Sequence, residues 1–381
     1  MENGERALLP PGMNDLLPPD AAHEAATVES LIAAFAAQGY DRVKPPLLEF
    51  EETLLGGAGA SMAGQTFRLM DPISHRMLAL RADMTLQIAR IATSRLGHAA
   101  RPLRLCYAGQ VLQVSGSQLR PQRQVGQVGC ELIGAPGAAA DAEIVVLAAQ
   151  ALTAVGVQGL SVDLNLPTLV PAVCQAFGVS ETQMGKLRAA LDRKDAAAVA
   201  EQGGPAADLL GALLAAAGPA RKTLTTLNGL TLPDAAKREV ARLIGVVDLI
   251  AAAAPDLKLT VDPVENRGFE YHSGVSFVLF ALGVRGELGR GGRYMAGANG
   301  NGEPATGFTL FMDTVLQAMA GPVPAKKLYL PHGTTPADGQ RLRGEGWTTV
   351  AALAADADAK AAARTLGCSH LLVAGKPAAV E

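Results

Sequence analysis

Aromatic side chains make up only 4% of the chain, with a single tryptophan, so any core must be built mainly from small aliphatic residues. A basic excess is missing too: 33 lysines and arginines against 36 aspartates and glutamates leave a formal net charge of -3. A chain devoted to RNA usually carries a clear basic surplus, because each neutralised phosphate releases counterions. Extensive tRNA binding is therefore not expected. Cysteines are few, and none of Cys106, Cys130, Cys174 and Cys368 forms a CxxC pair, which excludes a zinc knuckle or redox motif of that spacing. Dispersed cysteines in a chain of this size fit a reducing, cytoplasmic setting. Apolar runs such as residues 144–155 are too short or interrupted to span a bilayer, and the N-terminal MENGERALLPPG lacks the apolar segment of a signal peptide. What is present is a 381-residue chain, 49% hydrophobic and 18% charged, long enough for two or three domains with a sizeable core.

Residues 8–19 hold four prolines and cannot form a helix interior. From residue 20 to 38 apolar side chains (Ala25, Val28, Leu31, Ile32, Phe35) recur at helical spacing, and Gly39 supplies a stop. Residues 65–70 and 75–80 flank Asp71-Pro72 as a hairpin would, and 82–96 read as a helix. Two antiparallel strands, 103–113 and 123–133, are joined by a polar, mobile basic loop over 115–122. A helix over 141–155 and a strand over 160–165 follow. Residues 167–255 then turn alanine- and leucine-rich with helical period, broken by turns at Gly203-Gly204-Pro205, Gly218-Pro219 and Pro233. They predict an inserted helical subdomain. Strand signals return over 257–261, 269–271 and 275–280; a glycine-rich stretch fills 283–302; a strand over 306–310 runs into a helix over 312–319. Past GPVPA, residues 326–381 alternate strand and helix as a small α/β unit, leaving 1–320 as the main domain.

Four segments gather polar groups. LRADMT brings Asp83 and Thr85 from a strand to a helix start, where Asp83 either caps the helix or receives the amino group of a small zwitterion. In RQVGQVGCELIG, alternation puts Arg123, Val125, Gln127, Gly129 and Glu131 on one face. Gln127 and Glu131 are costly to bury unpartnered, so that face is either solvated or lines a polar pocket. Gly126 and Gly129 leave room beside it for a ligand. RGFEYHSG is either an exposed turn or a site in which Arg267 grips a carboxylate or phosphate, beside Tyr271 and His272. No second His or Cys stands at ligand spacing, so neither a metal nor a cofactor is expected. ELGRGGRYMAG is either a phosphate cradle or a flexible surface loop.

In this order, with PPGMNDLLPPDA ahead of them, the segments resemble the histidyl-tRNA synthetase core from about Pro10 to Ala320. The resemblance implies an α+β, class II synthetase-like fold: a mixed, mostly antiparallel sheet flanked by helices, with the helical part in its usual insertion position and dimerisation through the first motif. It implies that Asp83 receives an amino group, that Gln127 and Glu131 belong to an amino-acid pocket, and that Arg267 stands at the special catalytic arginine position. Tyr271-His272 replaces a tyrosine pair that faces the imidazole.

Two departures fall in the ATP half. In GQVLQVSG, Gln113 occupies the second-motif arginine position and Ser115 that of a glutamate; in GFTLFMDT, Thr314 occupies the third-motif arginine position and Phe311 displaces a glycine. Such guanidinium forks stabilise the charge built up in adenylate formation, and removing one such donor costs about 10²–10³ in rate. Activation chemistry is therefore expected to be absent. The unit at 326–381 is also smaller than the family's anticodon-binding domain. With the ATP half lost and the amino-acid half kept, the chain resembles the family of ATP phosphoribosyltransferase regulatory subunits. That resemblance implies a non-catalytic role, a short-form ATP phosphoribosyltransferase catalytic subunit as partner, and histidine as feedback effector in histidine biosynthesis.

Overall fold

A computed structural model describes residues 9–117, 120–265, 272–297 and 302–380. Arg267, Tyr271 and the strand expected over 269–271 lie outside the described residues. The chain divides into two compact units, Met1–Gly321 and Pro322–Glu381.

The proline-rich start gives way to helix α1 (Asp20–Ala36), followed by β1 (Asp41–Arg42), β2 (Leu48–Phe50), α2 (Glu51–Leu54), β3 (Arg68–Met70) and β4 (Met77–Leu80). Strands β2, β4 and β3 form a small antiparallel sheet. Its tight turn is held by the Asp71 carboxylate, which accepts from the backbone N–H groups of Ile73 and Ser74 at 3.1 and 3.2 Å. Next come α3 (Thr85–Thr93), β5 (Leu103–Leu112), β6 (Gln124–Ile133), α4 (Ala138–Ala154) and β7 (Leu160–Asn165). Helices α5 (Leu169–Ala176), α6 (Glu181–Asp192), α7 (Ala196–Gln202) and α8 (Ala207–Ala215) follow, then β8 (Gly218–Pro219), α9 (Ala220–Gly229) and α10 (Asp234–Ala253). The unit closes with β9 (Lys258–Asp262), β10 (Ser276–Ala281), β11 (Gly289–Ala296), β12 (Glu303–Phe311) and α11 (Met312–Ala318).

Among the described residues, nine strands form one sheet in the order β1-β5-β6-β12-β11-β10-β7-β9-β8. The pairs β1–β5 and β7–β9 are parallel and the others antiparallel. Two-residue alternation along β6 sorts its side chains. Val128, Cys130 and Leu132 enter the large core under α1 and α4, where Phe35 meets Phe308 edge-on at 5.5 Å. Val125 and Ile133 enter a second core with Met84 and Ile88 of α3. Gln127 and Glu131 share that second face and are 2% and 1% exposed, so the face is not a solvated one. Helix α4 is apolar almost all round because it is enclosed by the sheet and by helices α1 and α10.

Two sequence readings need correcting. The glycine-rich stretch is neither a phosphate cradle nor a surface loop over 289–296: it is β11, paired on both sides in the middle of the sheet. Its glycines are required by close backbone approach, since a Cβ at Gly291 would collide with the Gly307 carbonyl and crowd the Phe277 ring at 2.6 Å. Gly218-Pro219, expected as a turn, is instead an edge strand paired with β9, a place where a proline lacking its N–H is tolerated.

In the smaller unit, β13 (Lys327–Leu330), α12 (Pro336–Gly344), β14 (Thr348–Ala351), α13 (Ala359–Thr365), β15 (His370–Val373) and β16 (Lys376–Ala379) follow in order. The sheet order is β14-β13-β15-β16, with the last pair antiparallel. Thr335 and Asp358 cap the two helices by accepting first-turn N–H groups.

Candidate functional site

Strand β4 ends at Leu80, and the chain turns through Asp83 into α3 across the face of β6. Asp83 is tied both to the helix start and to strand β6. Its Oδ1 accepts from the Thr85 N–H at 2.8 Å, fixing the helix start, while Oδ2 accepts from Gln127 Nε2 at 3.1 Å. Gln127 Oε1 in turn accepts from the Met84 N–H at 3.1 Å, so both ends of the buried amide are satisfied. The Asp83 carboxylate is half-buried and keeps lone pairs toward the cavity, the arrangement an incoming ammonium group needs.

Glu131 lies deeper. Tyr294 donates to its Oε2 at 2.9 Å, and Tyr107 donates to its Oε1 at 3.3 Å. Tyr107 is also joined to Thr309 at 2.7 Å and to Thr85 at 3.3 Å. Burial is the main cause that pushes the Glu131 carboxyl up to about 8; the nearby Asp83 charge adds to it, and the tyrosine and Thr85 hydroxyls oppose it. A carboxyl held neutral near pH 7 can donate a hydrogen bond as well as accept one. Burial beside Glu131 also raises the Tyr107 phenol well above its ordinary range, which keeps it a neutral donor.

The glycines do not play the part expected of them. A Cβ at Gly129 would meet the Tyr107 hydroxyl at 2.5 Å, and one at Gly126 would meet Glu24 at 3.0 Å and Met312 at 3.2 Å. That space holds protein rather than a ligand. Gly307, directly across from Glu131 in the β6–β12 register, is the glycine the pocket requires, because a Cβ there would collide with the Glu131 carboxylate.

Asp83, Thr85, Glu131, His272, Tyr294 and Thr309 line one cavity. Its volume is about 40 Å³, room for a few waters and less than an amino acid fills. Tyr107, Tyr294 and Thr309 were not singled out in the sequence. The alternation Leu105-Tyr107 and Gly292-Tyr294, once both segments are seen as strands, points to them.

Gln113 and Thr314, the positions expected to have lost arginines, differ in burial, Gln113 being half-buried. Thr314 is buried and donates to the Glu287 carbonyl at 2.7 Å, also lying 3.1 Å from the Phe311 carbonyl. Gln113 donates to the Ala82 carbonyl at 3.4 Å. Beside them, Arg120 stacks over the Phe311 ring, 3.9 Å from its centroid, and donates to Asp313 Oδ2 at 2.9 Å. The loop expected to be mobile is thus anchored at Arg120. Arg120→Ala is expected to cost about 1–3 kcal/mol in urea unfolding, from the lost stack and charge-assisted bond. Arg120→Lys should lose part of this, and an unchanged midpoint in both variants would refute the anchor.

The histidyl-tRNA synthetase family profile matches residues 12–315. A curated relative from Rhodospirillum centenum, an ATP phosphoribosyltransferase regulatory subunit, is 59% identical over 97% of this chain and 95% of its own. One of the same name from Paramagnetospirillum magneticum is 60% identical over 97% of each chain. A solved structure described as an ATP phosphoribosyltransferase regulatory subunit/histidyl-tRNA synthetase, from Bacillus halodurans C, superposes with a TM-score of 0.83 at 24% identity, covering 96% of this chain and 97% of that one. Histidyl-tRNA synthetase from Nostoc sp. PCC 7120 superposes with a TM-score of 0.80 at 19% identity, covering 96% and 91%. At those identities the structures establish the fold, a class II synthetase-like mixed sheet flanked by helices. On the strength of the sequence matches, the chain belongs to the ATP phosphoribosyltransferase regulatory subunit family, built on a histidyl-tRNA synthetase core.

Proposed function

We propose that this chain is a non-catalytic regulatory subunit of ATP phosphoribosyltransferase, acting in the first step of histidine biosynthesis. Its partner is the short-form catalytic subunit, whose condensation of ATP with phosphoribosyl pyrophosphate it supports and places under feedback control by histidine. Two copies associate through the synthetase-like core, and the chain neither aminoacylates nor binds tRNA. The family relationship supports the role, and one asymmetry of the site carries the reading. The amino-acid half, Asp83, Gln127 and Glu131, is connected through Thr85 and Tyr107 into one polar network, whereas the ATP half holds Gln113 and Thr314 engaged with their own backbone surroundings. Arg267 and Tyr271 complete the proposed histidine pocket with Thr85 and His272.

Histidine then acts by linkage: it favours whichever state of the assembly binds it better, by the ratio of its affinities for the two states. The test is reconstitution of the full chain with a short-form catalytic subunit. Addition of the chain should raise condensation activity, and histidine should inhibit the complex. Asp83→Ala should raise the histidine concentration for half-inhibition at least tenfold while leaving assembly intact. Unchanged inhibition in both Asp83→Ala and Glu131→Ala would move the effector site elsewhere. Robust histidine-dependent pyrophosphate exchange by the chain alone would overturn the non-catalytic reading.

A further inference from the structure

Residues of helices α5, α6 and α10 line a second, open cleft of about 660 Å³. His272 lines both this cleft and the pocket described above. The cleft is large enough for a small metabolite.

Its polar lining is biased toward one charge. Arg188 projects from α6 and Arg238 from α10, with Gln175 of α5 between further donors. Neither arginine makes a salt bridge among the described residues. The Nε of Arg188 is buried, with no hydrogen-bond acceptor among the described residues. With no access to solvent, Nε does not meet a ligand, so the terminal N–H groups of half-buried Arg188 are the ones available to the cleft. Among the described residues the one carboxylate on the wall, Glu239, is engaged by the Thr168 hydroxyl at 2.8 Å. The first turn of α10 reaches the cleft through Ala235, and the Asp234 carboxylate in the same turn offsets the positive end of that helix, so the two guanidinium groups carry the charge bias.

We propose that this cleft is a binding site for a small phosphorylated or pyrophosphate-bearing metabolite, whose anionic group is gripped by Arg188 and Arg238. Two planar forks of fixed charge suit tetrahedral phosphate oxygens, which accept bidentate pairs. Gln175 offers an amide donor to the same group. The proposal does not rest on histidine regulation, since the two arginines it uses lie outside the Asp83–Glu131 pocket, although His272 lines both cavities.

The test is titration of the full chain with inorganic pyrophosphate in low-salt buffer, by calorimetry and thermal shift. Wild type should bind saturably. Arg188→Gln and Arg238→Gln should each weaken binding at least tenfold, and Glu239→Gln should leave it equal or tighter. Arg238 is exposed, so Arg238→Glu should keep the fold, checked by circular dichroism, and abolish binding. Absence of saturable binding by wild type overturns the site, as does equal binding by folded Arg238→Glu protein. Retained binding of an RNA oligonucleotide where pyrophosphate does not bind would also overturn it, assigning the face to a polynucleotide. Because the readout is direct binding to this chain alone, failure here leaves the regulatory reading untouched.

Discussion

Glu131→Gln is expected to flatten the pH dependence of folding stability and to make the protein more stable than wild type at alkaline pH. The Glu131 carboxyl is raised from its ordinary 4.5 to about 8 in the folded chain, chiefly by burial. Between those two pH values the unfolded chain releases the proton while the folded chain keeps it. A folded state that binds more protons loses stability as pH rises, so this contribution is complete below about 4.5 and is lost progressively up to about 8. At about 1.4 kcal/mol per pH unit, the window carries roughly 5 kcal/mol. Glutamine stays neutral throughout and still presents an acceptor to one of the two tyrosine hydroxyls. All other titrating groups are common to both proteins, so the difference between their stability curves isolates Glu131. Urea unfolding at half-unit steps from pH 5 to 9 should give curves that converge at the acid end and diverge toward pH 8. Parallel curves would mean that Glu131 is ionised and stably paired in the folded chain.

That same carboxyl shows how far the sequence could be read. Alternation along β6 was enough to put Gln127 and Glu131 on one face, because Val125 and Ile133 flank them with the same period. It could not choose between solvent and pocket, since the deciding partners are remote: Tyr107 lies on β5 and Tyr294 on β11, 163 residues from Glu131. Strand β11 was itself hidden. Its glycines carry no side-chain pattern, and the reason for them, the backbone of β12 and the Phe277 ring pressing close, exists only once the sheet is assembled. The helices were legible where one face is apolar, as in α1. Asp83 was legible as a helix-start residue, which its Oδ1 is, whereas the bond of its Oδ2 to Gln127, 44 residues away, left no local pattern. Gln113 and Thr314 could be singled out in the sequence; the Arg120–Phe311 stack near them could not, because a cation resting on a ring 191 residues away leaves no local pattern.

Asp141→Asn should destabilise the main unit by about 3–5 kcal/mol, the cost expected when one partner of a buried ion pair is removed. Arg293 and Asp141 are each 3% exposed at the side chain. The Arg293 Nε donates to Asp141 Oδ1 at 2.9 Å, its remaining N–H groups reach the Ala135 and Gly137 carbonyls at 2.9 and 3.0 Å, and Arg242 approaches Asp141 Oδ2 at 3.3 Å. Desolvation works against the charge on Arg293, lowering its pKa, and the attraction of Asp141 works to keep it. Removing Asp141's charge leaves the guanidinium with carbonyls alone. Arg293→Met should cost a similar amount, since it strands those two carbonyls and part of the carboxylate. The double variant should cost less than the two single losses together, by about 0.5–3 kcal/mol, the range found for directly coupled neighbours. Single losses below about 1 kcal/mol in urea unfolding would show that the pair is not buried as described. The consequence reaches the pocket. The backbone N–H of Arg293 donates to the Val275 carbonyl at 2.9 Å, and its carbonyl accepts from the Ser273 N–H at 2.8 Å, next to His272. The same residue sits between Gly292 and Tyr294 on β11, so the ion pair ties two walls of the pocket to α4. Milder variants that remain folded, such as Arg293→Lys, should therefore weaken the response to histidine without touching Asp83 or Glu131. A histidine response identical to wild type in folded Arg293→Lys protein would confine the pair to a purely structural part.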